Sequence, residues 1–360
     1  MSHFTVTYEV SRGDVKEVAE AIRVEQTIEF PFELAPEWIK QEVVGEILEI
    51  TGKRVKIRFD DRVTGFELSQ FLNVLWGNVS LFEDVRIIDF ELADEFLNHF
   101  KGPRFGVKGL RDLFGVSSAP LLATALKPMG LSTKELAKAA EVLVQAGFHL
   151  IKDDHGLANQ PWALWRERVQ IISAAVQQAN TKFNKKAVYA PSLNLKGDLV
   201  ESAHWAKAQG AGALLILPGV SSFSLMQTLA DDDELALPLM SHPSMLGSLV
   251  MSQTHGIRHG LVLAKIMRLA GADISIFPNY GGRFSFSQAQ CKEIADNAKV
   301  AFGGLKPIWT APGGGMTLDR IEELVNFFGR DTMLLVGGAL HRGDLLKNAS
   351  DLALRAQSLG

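Results

Sequence analysis

The stretch HLIKDDHGLANQPW, His149 to Trp162, places a lysine, two aspartates and a histidine directly after an apolar run that reads as a buried strand. Side chains alternate along a strand, so Lys152 and Asp154 should face one side and Asp153 the other. An amine beside a carboxylate is commonly a buried ion pair. It has a second use. A lysine amine that has taken up carbon dioxide is a carbamate, an oxygen ligand, and with Asp154 and His155 it would hold Mg2+, with water and substrate completing the shell.

Other polar groups stand at the ends of apolar runs along the chain. Lys127 follows LLATAL, His242 follows LALPLM, Asn279 and Arg283 follow ADISIF, and the glycine turns PGGG and VGGA bring Gly314, Gly315, Gly337 and Gly338. Bare backbone N–H groups in such turns can converge on a phosphate. His255 and His259 in THGIRHGLVLAK read as i and i+4 on a helix and as scaffold, because no acidic residue completes a metal pattern.

These groups need a frame that gathers strand ends. From Leu121 onward eight short apolar runs (LLATAL, HLIK, AVYAP, GALLIL, LALPLM, ADISIF, PIWTA, MLLVG) alternate with amphipathic helical patterns such as LSTKELAKAAEVLVQAG and LDRIEELVNFFG. Eight βα units in this length fit a closed (β/α)8 TIM barrel, whose chemistry collects at the C-terminal ends of its strands. A doubly wound open sheet is the rival, but its glycine-rich dinucleotide turn is replaced here by Lys-Pro-Met-Gly. Before the barrel, FTVTYEV, RVKIRF and DVRIIDFEL alternate with helical patterns at VKEVAEAIRVEQ and LSQFLNVLWG, which predicts an α+β (ferredoxin-like) domain over 1–117 and the barrel over 118–360. FKGPRFGVKGLRDLFGV reads as the linker.

The 360 residues are 47% hydrophobic and 22% charged, with net charge −4 and dispersed basic residues, so neither nucleic acid nor an anionic membrane is expected as a partner. One cysteine, Cys291, excludes a disulfide framework or thiolate zinc site and reads as an ordinary, exposed-to-intermediate helix residue. No apolar run reaches the roughly 18 residues of a membrane span and no signal peptide opens the chain, so a cytoplasmic protein is expected.

AGFHLIKDDHGLANQPWALWRERV resembles the strand-2 signature of the ribulose-1,5-bisphosphate carboxylase/oxygenase (RuBisCO) large subunit, a Lys-Asp-Asp-Glu followed by Gln-Pro and Trp-Arg. HPSMLGSLVMSQTHGIRHGLVLAKIMRLAGAD, FKGPRFGVKGLRDLFGV and WGNVSLFEDVRIIDFEL resemble three further segments of that family, so the resemblance covers nearly the whole chain. It implies that Lys152 is the carbamylated lysine, Asp154 a Mg2+ ligand, and His155 the occupant of the third ligand's place. It further implies that Lys127 is a catalytic acid or base, that His242 is catalytic, and that Gly314, Gly315, Gly337 and Gly338 bind phosphate. Glu25 in RVEQT and Asn78 match N-terminal residues that serve a neighbouring subunit's site, which implies a homodimer.

The departures are equally specific. Pro243 stands where carboxylases carry an arginine for a second phosphate, Ile276 where they carry a histidine, and Arg283 where they carry the mobile-loop lysine; Arg and Lys are not interchangeable there. Carbon dioxide fixation on a bisphosphate is therefore not expected. The chain is similar to RuBisCO-like (form IV) proteins of a Lys-Asp-Asp-His group, which implies Mg2+-assisted enolisation of a phosphorylated keto-sugar or keto-acid. The favoured substrate is 3-oxo-isoapionate 4-phosphate of apiose breakdown, through decarboxylation or transcarboxylation with hydrolysis, since its own carboxylate would offset the charge lost at His155. The alternatives are 5-methylthioribulose 1-phosphate isomerisation and 2,3-diketo-5-methylthiopentyl 1-phosphate enolisation in methionine salvage, with Phe277, Tyr280 and Phe284 as candidates for a thioether slot. A non-catalytic binding or regulatory protein and a Schiff-base aldolase using Lys127 or Lys152 remain as other classes.

Overall fold

The computed structural model describes residues 2–360. Its N-terminal unit is βαββαβ: β1 (His3–Val10), the helix Val15–Glu25, β2 (Glu46–Thr51), β3 (Arg54–Asp60), the helix Leu68–Trp76 and β4 (Val85–Glu91). The four strands are antiparallel in the order β4-β1-β3-β2, the ferredoxin-like arrangement. Strict alternation makes β1 one-sided: Phe4, Val6, Tyr8 and Val10 are buried while the residues between them are not. β2, whose even-polar run EILEIT gives no clear apolar period, was not expected from the sequence and sits at the sheet edge.

The barrel strands follow as β5 (Leu121–Leu126), β6 (Leu150–Asp153), β7 (Val188–Ala190), β8 (Leu214–Ile216) and β9 (Leu239–Ser241), then β11 (Ile274–Pro278), β12 (Trp309–Gly313) and β13 (Met333–Leu335). All eight expected runs supply one, paired in parallel in the order β7-β6-β5-β13-β12-β11-β9-β8. Leu193 N–H donates to Leu215 O and Leu215 N–H to Pro191 O, so the free edges of β7 and β8 meet and the sheet closes. The helix Thr133–Ala146 shows why the local sequence agrees with the fold. Ser132 and Glu135 form a reciprocal capping box, and Gly147 ends the helix at φ 103°.

Three readings change. FKGPRFGVKGLRDLFGV is not only a linker: Gly106–Phe114 is a helix whose Leu110 and Phe114 pack with Leu121, Leu150, Trp309 and Met333, where they close the N-terminal end of the barrel. The buried Asp273 carboxylate accepts the N–H groups of Phe105 (2.7 Å), Gly106 (2.8 Å) and Leu239 (3.2 Å), which fastens that helix to the barrel. His255 and His259 do not share a helix, because Gly256–Ile257 (β10) lies between them and pairs in parallel with β4, adding a fifth strand to the N-terminal sheet. Cys291 is fully buried on the inner face of the helix Gln288–Lys299, and burial pushes its thiol up to about 11. Among the described residues no helix is long and apolar enough to cross a membrane.

His149, at the entry to β6, accepts the Leu122 N–H at its Nδ1 (2.9 Å), and burial pushes its pKa down to about 4. Its folded value lies below that of the unfolded chain, so it contributes stability above about pH 6.5 that is lost as pH falls toward 4. Urea unfolding across that window should show a shallower acid loss for His149→Gln than for the parent; parallel curves would remove this histidine from the account.

Candidate active site

The end of β6 is organised by Asp153. Its carboxylate takes Arg168 Nε (3.2 Å) and Nη2 (3.1 Å), the Tyr189 hydroxyl (2.7 Å) and the Ser192 N–H (3.1 Å), all away from the barrel mouth. Arg168 spends its remaining donors on the carbonyls of Ala163 (2.6 Å) and Ala158 (2.8 Å), so a buried pair has no unsatisfied charge. With Asp153 held outward, alternation turns Lys152 and Asp154 the other way, as the sequence implies. Arg168 was missed in the sequence reading. The signal was an arginine on the apolar face formed by Trp165, Val169, Ile172 and Val176 of the helix Trp165–Phe183.

The barrel register sets Ala125 beside Lys152 and Leu126 beside Asp153, so Lys127 arrives beside Asp154. The two form an ion pair, and His155 Nδ1 lies 3.0 Å from the other Asp154 oxygen. Against the cost of burial, the His155 hydrogen bond and the Lys127 pair hold the Asp154 carboxyl far below the usual carboxylate range. From three strands round the barrel, His242 after β9 stacks on His155 with ring centroids 4.3 Å apart and planes 11° from parallel. Lys152 is 2% exposed; its Nζ donates to Asp153 O (3.0 Å), and burial pushes it down to about 8. Lys127, Lys152, Asp154, His155 and His242 thus form one cluster at the mouth.

The remaining sequence candidates distribute around or away from it. Gly337 lies against Lys127, whose Cε is 3.6 Å from where a Cβ would stand, and Gly338 faces open space. Gly314 and Gly315 adopt φ 81° and 74°, but a Cβ on Gly315 would meet Gly282 Cα at 2.6 Å, so part of this glycine requirement is the meshing of two loops. Arg283 is exposed on the same meshed loop, its guanidinium 4.9 Å above the Phe284 ring. Glu25 and Asn78 hydrogen-bond each other (2.8 Å) within the N-terminal unit. Gln26 secures them through Asn73 O, Val74 O and the Val79 N–H, a clamp the sequence reading overlooked. Of the apolar candidates, Phe277 is core and packs on Phe328, and Tyr280 is buried with its hydroxyl on Glu323. Phe284 (48% exposed, against Gly314) and Met129 (49% exposed, against Gly156) are among the exposed apolar side chains on the loops that follow the barrel strands.

A cavity of about 930 Å³ lies elsewhere, between β4 and the barrel helices. None of the candidate residues lines it, and four of its charged residues pair with one another, Lys265 with Asp89 (3.1 Å) and Arg258 with Glu293 (3.3 Å). It is a seam between the two units, whereas the mouth gathers charged groups from separate strands.

Among the described residues no three His, Cys, Asp or Glu side chains gather as a metal site. The donor chemistry nevertheless fits a small dication if Lys152 is carbamylated. Asp154 and His155 would offer an oxygen and a nitrogen once the 3.0 Å hydrogen bond that now joins them is given up. A buried amine whose pKa is pushed down has more of the neutral form that reacts with carbon dioxide, and only a small electrophile can reach a 2%-exposed Nζ.

Residues 106–281 match the family model described as ribulose bisphosphate carboxylase large chain, catalytic domain. The chain is 35% identical over 344 residues to ribulose bisphosphate carboxylase-like protein 1 of Rhodopseudomonas palustris, covering 93% of this chain and 92% of that one. It is 33% identical over 345 residues to the 5-methylthioribulose-1-phosphate isomerase of Rhodospirillum rubrum, covering 93% and 90%. The crystal structure of a Rubisco-like protein from Rhodopseudomonas palustris superposes with a TM-score of 0.89 at 34% identity, over 100% of this chain and 99% of that one.

Two outcomes follow. Arg168→Met leaves Asp153 buried and unpaired, so equilibrium unfolding should show a loss of about 3–5 kcal/mol; a loss below about 1 would mean that Tyr189 and Ser192 suffice. Incubation with 13C-bicarbonate and Mg2+ followed by alkylative trapping should label Lys152, more strongly as pH rises through about 8, the value at which half the amine is free. Label absent from the peptide containing Lys152 at every pH would rule the carbamate out.

Proposed function

Because the chain belongs to the ribulose bisphosphate carboxylase large-chain superfamily, in its RuBisCO-like branch, we propose that it moves a proton on a carbon beside the carbonyl of a monophosphorylated keto-sugar, with 5-methylthioribulose 1-phosphate as substrate and isomerisation as outcome. The observation that carries this is the Lys127–Asp154 pair at the mouth, flanked by His155 and His242. An amine at 36% side-chain exposure can meet a substrate, whereas Lys152 at 2% cannot, which also weighs against a Schiff base on Lys152.

Lys127, as the neutral amine, takes the proton from the hydroxyl-bearing carbon next to the carbonyl and returns it to the carbonyl carbon, while the hydroxyl proton passes to the former carbonyl oxygen, so the isomer forms with no other reactant. Asp154 orients the Lys127 amine, and Asp153 with Arg168 fixes the strand end from which Asp154 projects. A divalent cation held by Asp154, His155 and a carbamate on Lys152 supplies, when bound, a Lewis acid for the substrate carbonyl. Gly337, Gly338 and the Gly314–Gly315 turn offer backbone N–H groups for one phosphate, and Pro243 removes the clamp a second would need. Arg283, on the loop meshed with that turn, would add charge for the same phosphate.

The methylthio sugar is preferred over the sugar acid of apiose breakdown for two reasons. The isomerase relative is matched along nine-tenths of both chains. Phe284 and Met129 give apolar surface on which a thioether can pack. The Glu25–Asn78 pair completes the proposal as the contribution of one protomer of a homodimer to its partner's mouth.

In deuterated buffer the protein with Mg2+ and bicarbonate should exchange the substrate's α-proton and form the isomer, followed by NMR. Lys127→Met should lower exchange by at least about 100-fold, and undiminished exchange would sink the assignment. Ribulose 1-phosphate, lacking the methylthio group, should be poorer in kcat/KM by roughly 10–200-fold; equal use of both sugars would remove the thioether from the account.

A further inference from the structure

His242 is gripped at one edge by the residue two places on. The Ser244 N–H donates to His242 Nδ1 at 3.2 Å, and the Ser244 Oγ lies 2.8 Å from the same nitrogen. A backbone N–H can only donate, so Nδ1 must be the acceptor and carries no proton. The ring proton is therefore on Nε2, which takes no protein partner among the described residues.

The grip is built into the backbone. Pro243 has a fixed φ and no N–H, so the first donor after His242 is that of Ser244, as in the side-chain turns that asparagine and aspartate make two residues on. His242 N–H donates to Ile216 O (2.8 Å) and Leu246 N–H to Pro243 O (3.0 Å). The Ser244 carbonyl seats against Gly219, where a Cβ would stand only 2.4 Å from that oxygen. The His155 ring fixes the other face.

We propose that Ser244 is a positioning residue that holds His242 as the Nε2–H tautomer, so that this ring meets the substrate as a hydrogen-bond donor to its developing oxyanion and not as a proton acceptor. This rests on the mouth being the proton-transfer site proposed above, and it leaves proton carriage to Lys127. The proline that forfeits a phosphate clamp thereby gains a use: it sets up the turn that orients the histidine.

The tautomer is read without substrate. In protein labelled with 15N-histidine, with the His242 signals assigned by their loss in His242→Gln, Nδ1 should show a pyridine-type shift and Nε2 a pyrrole-type shift. Ser244→Ala, which removes the hydroxyl but keeps the backbone N–H, should leave Nδ1 pyridine-type, whereas replacing the Ser244 N–H by an ester oxygen should move it toward the pyrrole type as the other tautomer becomes populated. A pyrrole-type Nδ1 in the parent or in Ser244→Ala, or an unchanged Nδ1 when the Ser244 N–H is replaced by an ester oxygen, overturns the positioning role. For function, His242→Ala should slow α-proton exchange by about 100-fold or more, the cost of one oxyanion donor, whereas His242→Gln, which keeps an N–H, should stay within about tenfold of the parent. Glutamine as damaging as alanine overturns the donor role. A parent protein that shows the Nε2–H signature but exchanges no proton on the keto-sugar phosphate leaves the tautomer standing and overturns both the donor role and the reading of the mouth.

Discussion

The site depends on a charge that takes no part in it. Asp153 is pulled outward by Arg168, Tyr189 and the Ser192 N–H, and because a strand alternates, that pull turns Lys152 and Asp154 into the mouth. A pair of this kind adds little net stability over well-packed apolar residues, but it is costly to break. Its value here is directional. Without it the last residue of β6 could turn over, and the residues on either side would exchange their environments.

Within the mouth the balance of charge is unusual. Lys127 and Lys152 face one carboxylate, Asp154, and where the carboxylases carry a third, anionic ligand this chain has His155. The cluster as built thus favours anions: Lys127 sits on Asp154, and burial of Lys152 pushes its amine toward the neutral form. Uptake of carbon dioxide by Lys152 would turn a cation into an anion and shift the cluster by two charges, the change needed before a dication becomes welcome. His155 and His242, stacked face to face, join the ends of β6 and β9.

Most of the frame was legible in the sequence. Eight apolar runs gave eight barrel strands, and the alternation of LIKDD was enough to assign which aspartate faces where. What was hidden has a physical explanation in each case. β2 carries charges on its exposed edge and so lacks a period. The helix Gly106–Phe114 begins among glycines that read as a linker, and only a distant aspartate, Asp273, caps it. Phe277 and Tyr280 looked like binding residues because of where they fall at a strand end, yet the helix Ile321–Phe328 claims them for the core through Phe328 and Glu323. The Ser244 grip on His242 required knowing that a turn folds back on its own side chain, which no residue spacing announces.

The interlocked glycines at 282 and 315 bear on how such a scaffold can diverge. Neither residue tolerates a side chain, since a Cβ on Gly282 would lie 2.3 Å from Gly314 O and one on Gly315 would lie 2.6 Å from Gly282 Cα. The two loops are geared together, so neither can be redesigned alone. A lysine placed at 283 would therefore sit on a loop that cannot move apart from the Gly314–Gly315 turn. Any change to the reach of one loop must be matched by a change in the other.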